Sequence, residues 1–311
     1  MRIAISGASG LIGTALSRDL ASGGHDVVRL VRRRAQSSGE IEWDPQVAAG
    51  GMQAAALSGV DAVVHLSGAP IAGGRWTQAR KAVLRASRIR STKVLVSAMM
   101  AADPVPGIML CGSAIGWYGD TGDQEVDESA PRGRGFLADL VRDWEAAAEP
   151  ARSAGIRVAS LRSGVVLAAD GGMLGRLLLP FRLGLGARIG SGTQYLSWIS
   201  LVDHVRAIRF ALDSPAIDGP VNLTAPHPVT NAEFTTALAR ALGRPAILRV
   251  PAGLLSAALG EVAGELLASA RVMPRKLLDA GFSFRHPDVA AALAAVLAPG
   301  AIEGHARVAD G

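Results

Sequence analysis

The sequence predicts a doubly wound α/β protein, a Rossmann-type parallel sheet with a smaller C-terminal α/β lobe. Three observations carry this expectation. Short, near-continuous apolar runs alternate with segments long enough to be crossover helices. A glycine-rich turn joins the first apolar run to the first helix. After about residue 168 the alternation loosens into Gly-rich and amphipathic pieces.

Taken in order, the apolar runs predict strands over 2–6, 26–31, 62–66, 107–111 and 156–161, with a helix after the first that reaches residue 22. The intervening segments 76–100 and 136–154 have the length and pattern of crossover helices. Beyond residue 168 a last strand is expected over 220–223, and helices over 231–242 and 251–267. The expected division is a nucleotide-binding domain over 1–168 and a smaller substrate lobe over 169–298. No Pro/Ser-rich linker separates them, so the boundary is soft and elements of the lobe can return to the first domain. The tail 299–311 lacks apolar periodicity and is expected to fray.

Composition narrows the class of function. At 311 residues, with 49% hydrophobic and 19% charged residues, the chain has ample material for a core and is not a disordered polymer. A single cysteine, Cys111, forms no internal disulfide, and six scattered histidines supply no zinc pattern, which fits a reducing cytoplasm and no structural metal. The net charge of +5 comes from arginines spread along the whole chain, and aromatics are only 4% of it, so a nucleic-acid partner is not expected. Glu261 and Glu265 interrupt the longest apolar stretch, so no membrane span is expected, and the N-terminal segment reads as fold and not as a signal peptide.

The strongest motif is IAISGASGLIG, with Gly7, Gly10 and Gly13 between strand and helix. Gly7 permits the tight turn, Gly10 lets backbone approach a pyrophosphate, and Gly13 lets helix pack on sheet, while free N–H groups at the helix start favour an anion. Where an NAD site would place a carboxylate after the second strand, this chain has Arg32, Arg33 and Arg34. Guanidinium groups there suit a ribose 2′-phosphate, so the expected cofactor is NADP(H).

These residues, with VHLSGAPI over 64–71, resemble the extended short-chain dehydrogenase/reductase superfamily. The series GSAIGWYGD (112–120), DLVRDWEAAA (139–148), LRSGVVL (161–167), the 178–205 segment, PVNLTAPHPVTNAEF (220–234) and PRKLLDAGFSFRHPDVAAAL (274–293) resembles one atypical branch, an epimerase-like family with a C-terminal domain of unknown function. The resemblance implies that Gly7, Gly10, Leu11, Ile12 and Gly13 lie on the pyrophosphate, and Arg32 and Arg33 near the adenosine phosphate. It places Leu66, Ser67 and Gly68 along adenosine and ribose, Arg88 as a phosphate or ribose contact, and Val166 beside the nicotinamide. Arg88 has a second reading, because Lys81, Arg85 and Arg88 recur at helical spacing and could form a solvated basic face. Asp203 is expected to be structural, and His204 a core or surface histidine.

The superfamily's Tyr/Lys pair, a tyrosine with a lysine four residues on, is missing. The only tyrosines are Tyr118 and Tyr195, followed at that spacing by Gly122 and Ile199, and the expected region offers Phe136 and Leu140. The remaining catalytic candidates are Ser113, as the hydroxyl that orients a carbonyl, and Tyr118, as a proton donor. The expected activity is hydride transfer to a small carbonyl or sugar-like substrate. The rival expectation is a nonenzymatic NADP(H)-binding regulator with a protein partner, and a sugar-nucleotide epimerase is disfavoured by Arg32 and the missing base.

Overall fold

The computed structural model describes residues 1–47, 50–71 and 74–298. The tail 299–311 therefore lies outside the described residues. The first half of the chain forms β1 (Arg2–Ser6), α1 (Leu11–Ser22), β2 (Asp26–Val31), β3 (Glu40–Glu42), β4 (Ala62–His65), α2 (Gln78–Arg85), α3 (Ser91–Met100), β5 (Ile108–Ala114), β6 (Glu125–Val126), α4 (Phe136–Ala148), α5 (Pro150–Ser153), β7 (Arg157–Ser163) and β8 (Val165–Ala168). Then follow α6 (Gly172–Arg182), β9 (Ala187–Ile189), β10 (Tyr195–Leu196), β11 (Trp198–Ser200), α7 (Leu201–Asp213), β12 (Gly219–Leu223), β13 (Val229–Thr230), α8 (Asn231–Leu242), β14 (Leu248–Val250), α9 (Ala252–Leu259), α10 (Glu261–Leu267), β15 (Arg271–Val272), α11 (Arg275–Asp279) and α12 (Val289–Leu297).

The chain divides into two compact units, and neither is continuous in sequence. The first holds Met1–Trp117, Arg134–Arg162 and Val205–Val221; the second holds Tyr118–Gly133, Ser163–His204 and the residues from Asn222 onward. The chain thus passes between the two units five times, where the sequence suggested a soft boundary near residue 168. The strand expected over 220–223, read with the C-terminal lobe, joins the central sheet as β12.

That sheet has seven strands in the order β12-β7-β5-β4-β1-β2-β3, and β5, β4, β1, β2 and β3 run parallel. Alternate residues of each strand face opposite sides. Ala4, Val63, Met109 and Cys111 face a core built with Val94, Leu95 and Met99 of α3 and Trp144 of α4. Ile3, Ile5, Val64 and Leu110, on the opposite face, are fully buried too. A sheet buried on both sides is the doubly wound arrangement, and it explains why its central strands β1 and β4 are near-continuous apolar runs.

In the second unit, β8 pairs with β11 and β9 with β14 in parallel, and β10 with β13 antiparallel. Its core gathers Leu167, Leu174, Phe181, Trp198, Phe234, Leu238 and Leu293. Helix α8 begins with a capping box, Thr230 and Glu233 each bonding the other's backbone N–H, and stops at Gly243 with φ +62°. The single helix expected over 251–267 is two helices, α9 and α10, because Gly260 takes φ +62° between them.

The β1–α1 turn leaves no room for a side chain at Gly13. A Cβ on Gly13 would sit 2.2 Å from the Gly7 carbonyl oxygen and 2.8 Å from Ala8 Cα. Both are backbone atoms and cannot swing away. Gly13→Ala is therefore expected to destabilise the protein by about 1–3 kcal/mol, read as a lower thermal midpoint than the parent.

Candidate active site in the first unit

The site starts at the C-terminal ends of β1 and β4. Gly7 turns the chain at φ +72°, where a Cβ would meet the Leu66 carbonyl carbon and oxygen at 2.9 Å and Ser67 N at 3.0 Å. The Leu66 N–H in turn donates to the Ser6 carbonyl at 3.1 Å. The structure thus brings Gly7, Leu66 and Ser67 against one another. Gly10 is the N-cap of α1, with Leu11, Ile12 and Gly13 as its first turn, and no side chain caps the helix. A Cβ on Gly10 would meet only the Gly7 carbonyl oxygen, at 3.3 Å. These uncapped N–H groups and this bare approach fit a pyrophosphate.

Arg88 lies beside this region, next to Gly68. It lies in a π-helical turn, Ala86–Arg90, that interrupts the helical segment between α2 and α3; such turns re-aim side chains and recur at functional sites. Its guanidinium carbon lies 3.1 Å from where a Gly68 Cβ would be, so Gly68 leaves the room it fills. It stacks over Trp144 at 5.1 Å and reaches only neutral acceptors, the Leu84 carbonyl at 3.4 Å and Ser87 Oγ at 3.5 Å. No carboxylate pairs with it among the described residues. Burial, helped by the positive charge of Arg80, pushes its pKa down to about 10, so it remains a cation. The solvated-basic-face reading is corrected here: Arg85 pairs with Asp143 and Lys81 lies over Phe136, whereas Arg88 turns inward.

At the end of β2, Arg32 and Arg33 have different surroundings. Arg33 holds the Glu40 carboxylate with two bonds of 2.7 Å. Arg32 is exposed, and no side-chain partner of it is found among the described residues. Glu40 is a carboxylate that sequence reasoning missed, since it stands eight residues beyond Arg32 and reaches the strand end only through β2–β3 pairing. The Arg33 bonds, the Gln36 N–H and the nearby Arg29 hold its pKa down to about 2.

Ser113 lies near the end of β5 and donates to Glu145 Oε1 at 2.6 Å. Arg162, buried on β7, grips the same carboxylate through Nε to Oε1 at 2.8 Å and Nη2 to Oε2 at 2.9 Å. Its guanidinium stacks 4.0 Å from the Trp117 ring centroid. Glu145 and Arg162 were not singled out in the sequence; the spacing of Glu145 on an amphipathic α4 gave no signal without the Ser113 contact. Phe136 and Leu140 open the same helix without any polar function. The Cys111 thiol is buried and pushed up to about 12, which leaves it inert.

The remaining candidates fall in the second unit. Tyr118 is buried and donates to Asn222 Oδ1 at 2.8 Å, while Asn222 donates to the Met273 carbonyl at 2.9 Å. Its phenol proton is thus engaged inside that unit, in contrast to the available donor the sequence suggests. Val166 lies in β8, paired with Ile199. Asp203 is fully buried and accepts the N–H groups of Arg285 and His286 at 2.9 and 2.8 Å, a structural role. His204 is a core histidine with Nε2 at 2.8 Å from Ser163 Oγ. Among the described residues no group of three or more His, Cys, Asp or Glu could hold a metal, and no helix is long and apolar enough to cross a membrane.

A strand–glycine turn–helix unit on a seven-stranded doubly wound sheet, with a cationic floor, defines a Rossmann-type nucleotide-binding protein. The chain matches the NAD dependent epimerase/dehydratase family over residues 3–223, and a domain of unknown function over residues 250–296. An epimerase family protein of Mycobacterium bovis is 50% identical over 292 residues, 94% of this chain and 96% of that protein. Human epimerase family protein SDR39U1 is 37% identical over 303 residues, 96% of this chain and 100% of that protein. The crystal structure of the human protein with NADPH superposes with a TM-score of 0.86 at 35% identity, over 95% of this chain and 99% of that one. A nucleoside-diphosphate sugar epimerase from Corynebacterium glutamicum gives 0.78 at 35% identity, over 94% of this chain and 57% of that one. The chain belongs to the NAD dependent epimerase/dehydratase family.

Two predictions follow from the geometry. Gly10→Val is expected to fold, because a Cβ there meets only the Gly7 oxygen, at 3.3 Å, and to abolish dinucleotide binding, because a branched side chain would block the close approach of a pyrophosphate to this backbone; circular dichroism and NADPH titration check the two halves. The second concerns acid stability. Burial lowers His65 from 6.5 to about 3 and His204 from 6.5 to about 4, so in the pH window below 6.5 the unfolded chain takes up protons that the folded chain refuses. Their contribution is whole above pH 6.5 and is lost as the pH falls, by up to about 1.4 kcal/mol per histidine per pH unit. Urea midpoints should drop from pH 7 to pH 5, and His204→Gln should flatten that dependence.

Proposed function

We propose that the protein is an NADP(H)-dependent oxidoreductase of the epimerase-like kind, acting on a small carbonyl or sugar-like substrate. The observation that carries this is the pairing of a bare glycine turn at the head of α1 with buried Arg88, a cation without a protein anion, inside one unit. A buried unpaired charge is costly, and an anionic ligand would offset that cost. The solved human relative described with NADPH supports the same cofactor. Gly7, Gly10, Leu11, Ile12 and Gly13 would hold the pyrophosphate, Leu66, Ser67 and Gly68 the adenosine and ribose, Arg88 a phosphate or ribose oxygen, and Arg32 the 2′-phosphate. When bound, that cofactor accepts or delivers a hydride.

The chain's own chemistry centres on Ser113. Its proton points to Glu145, which Arg162 fixes from the other side. As a substrate alcohol is oxidised, its proton passes to Ser113 Oγ while the Ser113 proton passes to Glu145 Oε1; reduction runs the same path backwards. This relay takes the place of the Tyr/Lys pair. Tyr118, bonded to Asn222, has a structural role in this reading.

A second reading, a nonenzymatic NADP(H)-binding regulator of a partner protein, is favoured by one observation: Phe136 and Leu140 stand in the region of the usual pair. The deciding experiment is to identify any nucleotide that copurifies, then to screen carbonyls for loss of NADPH absorbance. Ser113→Ala and Glu145→Gln are expected to lower turnover by about 10² to 10⁴ with NADPH affinity nearly unchanged, and Tyr118→Phe to lower stability and not turnover. Full turnover in the Ser113 and Glu145 variants overturns the relay. Tight NADPH binding with no turnover across the screen favours the regulator.

A further inference from the structure

We propose that Glu40 is a positioning residue for cofactor specificity: it folds the loop after β2 into a frame that holds Arg33 and leaves Arg32 to read the adenosine 2′-phosphate. The inference rests on the reading that this site takes NADP(H). Glu40 opens β3 opposite Arg29 of β2, and its side chain is only 2% exposed. Its Oε1 accepts from Arg29 Nη2 at 3.0 Å and Arg33 Nη2 at 2.7 Å. Its Oε2 accepts from Arg33 Nη1 at 2.7 Å and the Gln36 N–H at 2.9 Å. A carboxylate offers about four lone-pair positions, and all are filled.

The consequence is selective. An acidic residue near the end of the second strand normally accepts a ribose hydroxyl and favours NAD. Glu40 has no acceptor position left for that hydroxyl, so its presence does not turn the site toward NAD. Arg33 is equally engaged, since its Nη1 also donates to the Arg34 carbonyl at 2.9 Å. The turn is closed by Glu40 N to the Ser37 carbonyl at 3.1 Å and Arg29 N to the Gly39 carbonyl at 2.8 Å. What remains is Arg32, exposed beside this frame, with Arg29, Arg33 and Arg34 keeping the loop net positive. The frame fixes the segment between β2 and β3 before a phosphate arrives, which is preorganisation.

The test uses two halves of the cofactor as probes, 2′,5′-ADP and 5′-AMP, titrated calorimetrically against the whole protein. The parent is expected to prefer 2′,5′-ADP by at least about tenfold, the worth of one charge-assisted contact. Arg32→Ala should erase that preference. Glu40→Gln removes a negative charge; a frame predicts about tenfold weaker 2′,5′-ADP binding with 5′-AMP little changed, whereas a charge effect alone predicts tighter 2′,5′-ADP binding. Glu40→Asp keeps the charge but is too short to reach all four donors, and should show the same selective loss; it carries the test if the Gln variant does not fold. A parent with no preference overturns the NADP(H) reading itself. A parent with the preference, retained or increased in the Glu40 variants, overturns the frame alone, as does weakening of 5′-AMP in step with 2′,5′-ADP.

Discussion

The first unit depends on one close approach, the contact of the β1–α1 turn with the backbone at residues 66 and 67. Neither Gly7 nor Gly13 can carry a side chain without striking backbone, so the turn can lie flat on the end of β4 only as it is. That contact aims the open N–H groups of α1 along the C-terminal edge of the sheet, where open α/β sheets bind their ligands. Gly10 differs from its neighbours, since the fold does not require it to be bare. The distinction separates the glycines that build the turn from the one that the turn's own packing leaves open.

Around this edge the unit holds three arginines in different surroundings, and the differences carry meaning. Buried Arg162 meets the Glu145 carboxylate with geometry good enough to offset desolvation, and half-exposed Arg33 meets the buried Glu40. Arg88 is buried and meets only neutral oxygens and a ring, so its desolvation is the least compensated. A cation left in that condition inside a sheet edge is what an anionic ligand would relieve. Helix α4 serves two of these charges with adjacent residues, Trp144 beneath Arg88 and Glu145 between Ser113 and Arg162.

Much of the first unit was legible in the sequence. β1 and β2 begin and end where the sequence reading puts them: β1 is buried from Ile3 to Ser6, and β2, with Asp26 and Arg29 exposed, is still marked by Val27, Val28, Leu30 and Val31. Helix α8 was legible to the residue, since Thr230, Glu233 and Gly243 punctuate it. The short strand β3 was not, as its pattern of Glu40, Ile41 and Glu42 matches no strong strand signal and forms only against β2. The break at Gly260 was also missed, because a glycine inside an apolar helical run signals a cost and not a conformation.

The sequence by itself determined the class of fold, the glycine turn, the arginines after β2 and the lack of a Tyr/Lys pair, since each is written in neighbouring residues or in a local period. The tertiary structure decided which charges meet. Arg33 with Glu40, Ser113 with Glu145, Glu145 with Arg162, and Tyr118 with Asn222 are separated by 7, 32, 17 and 104 positions. Hydrogen bonds act over about 3 Å, whereas sequence patterns report only periods along one element. Whether an arginine faces water, a carboxylate or only neutral oxygens and a ring is therefore set by strand order and helix packing, and Arg32, Arg33 and Arg88 reached three different answers.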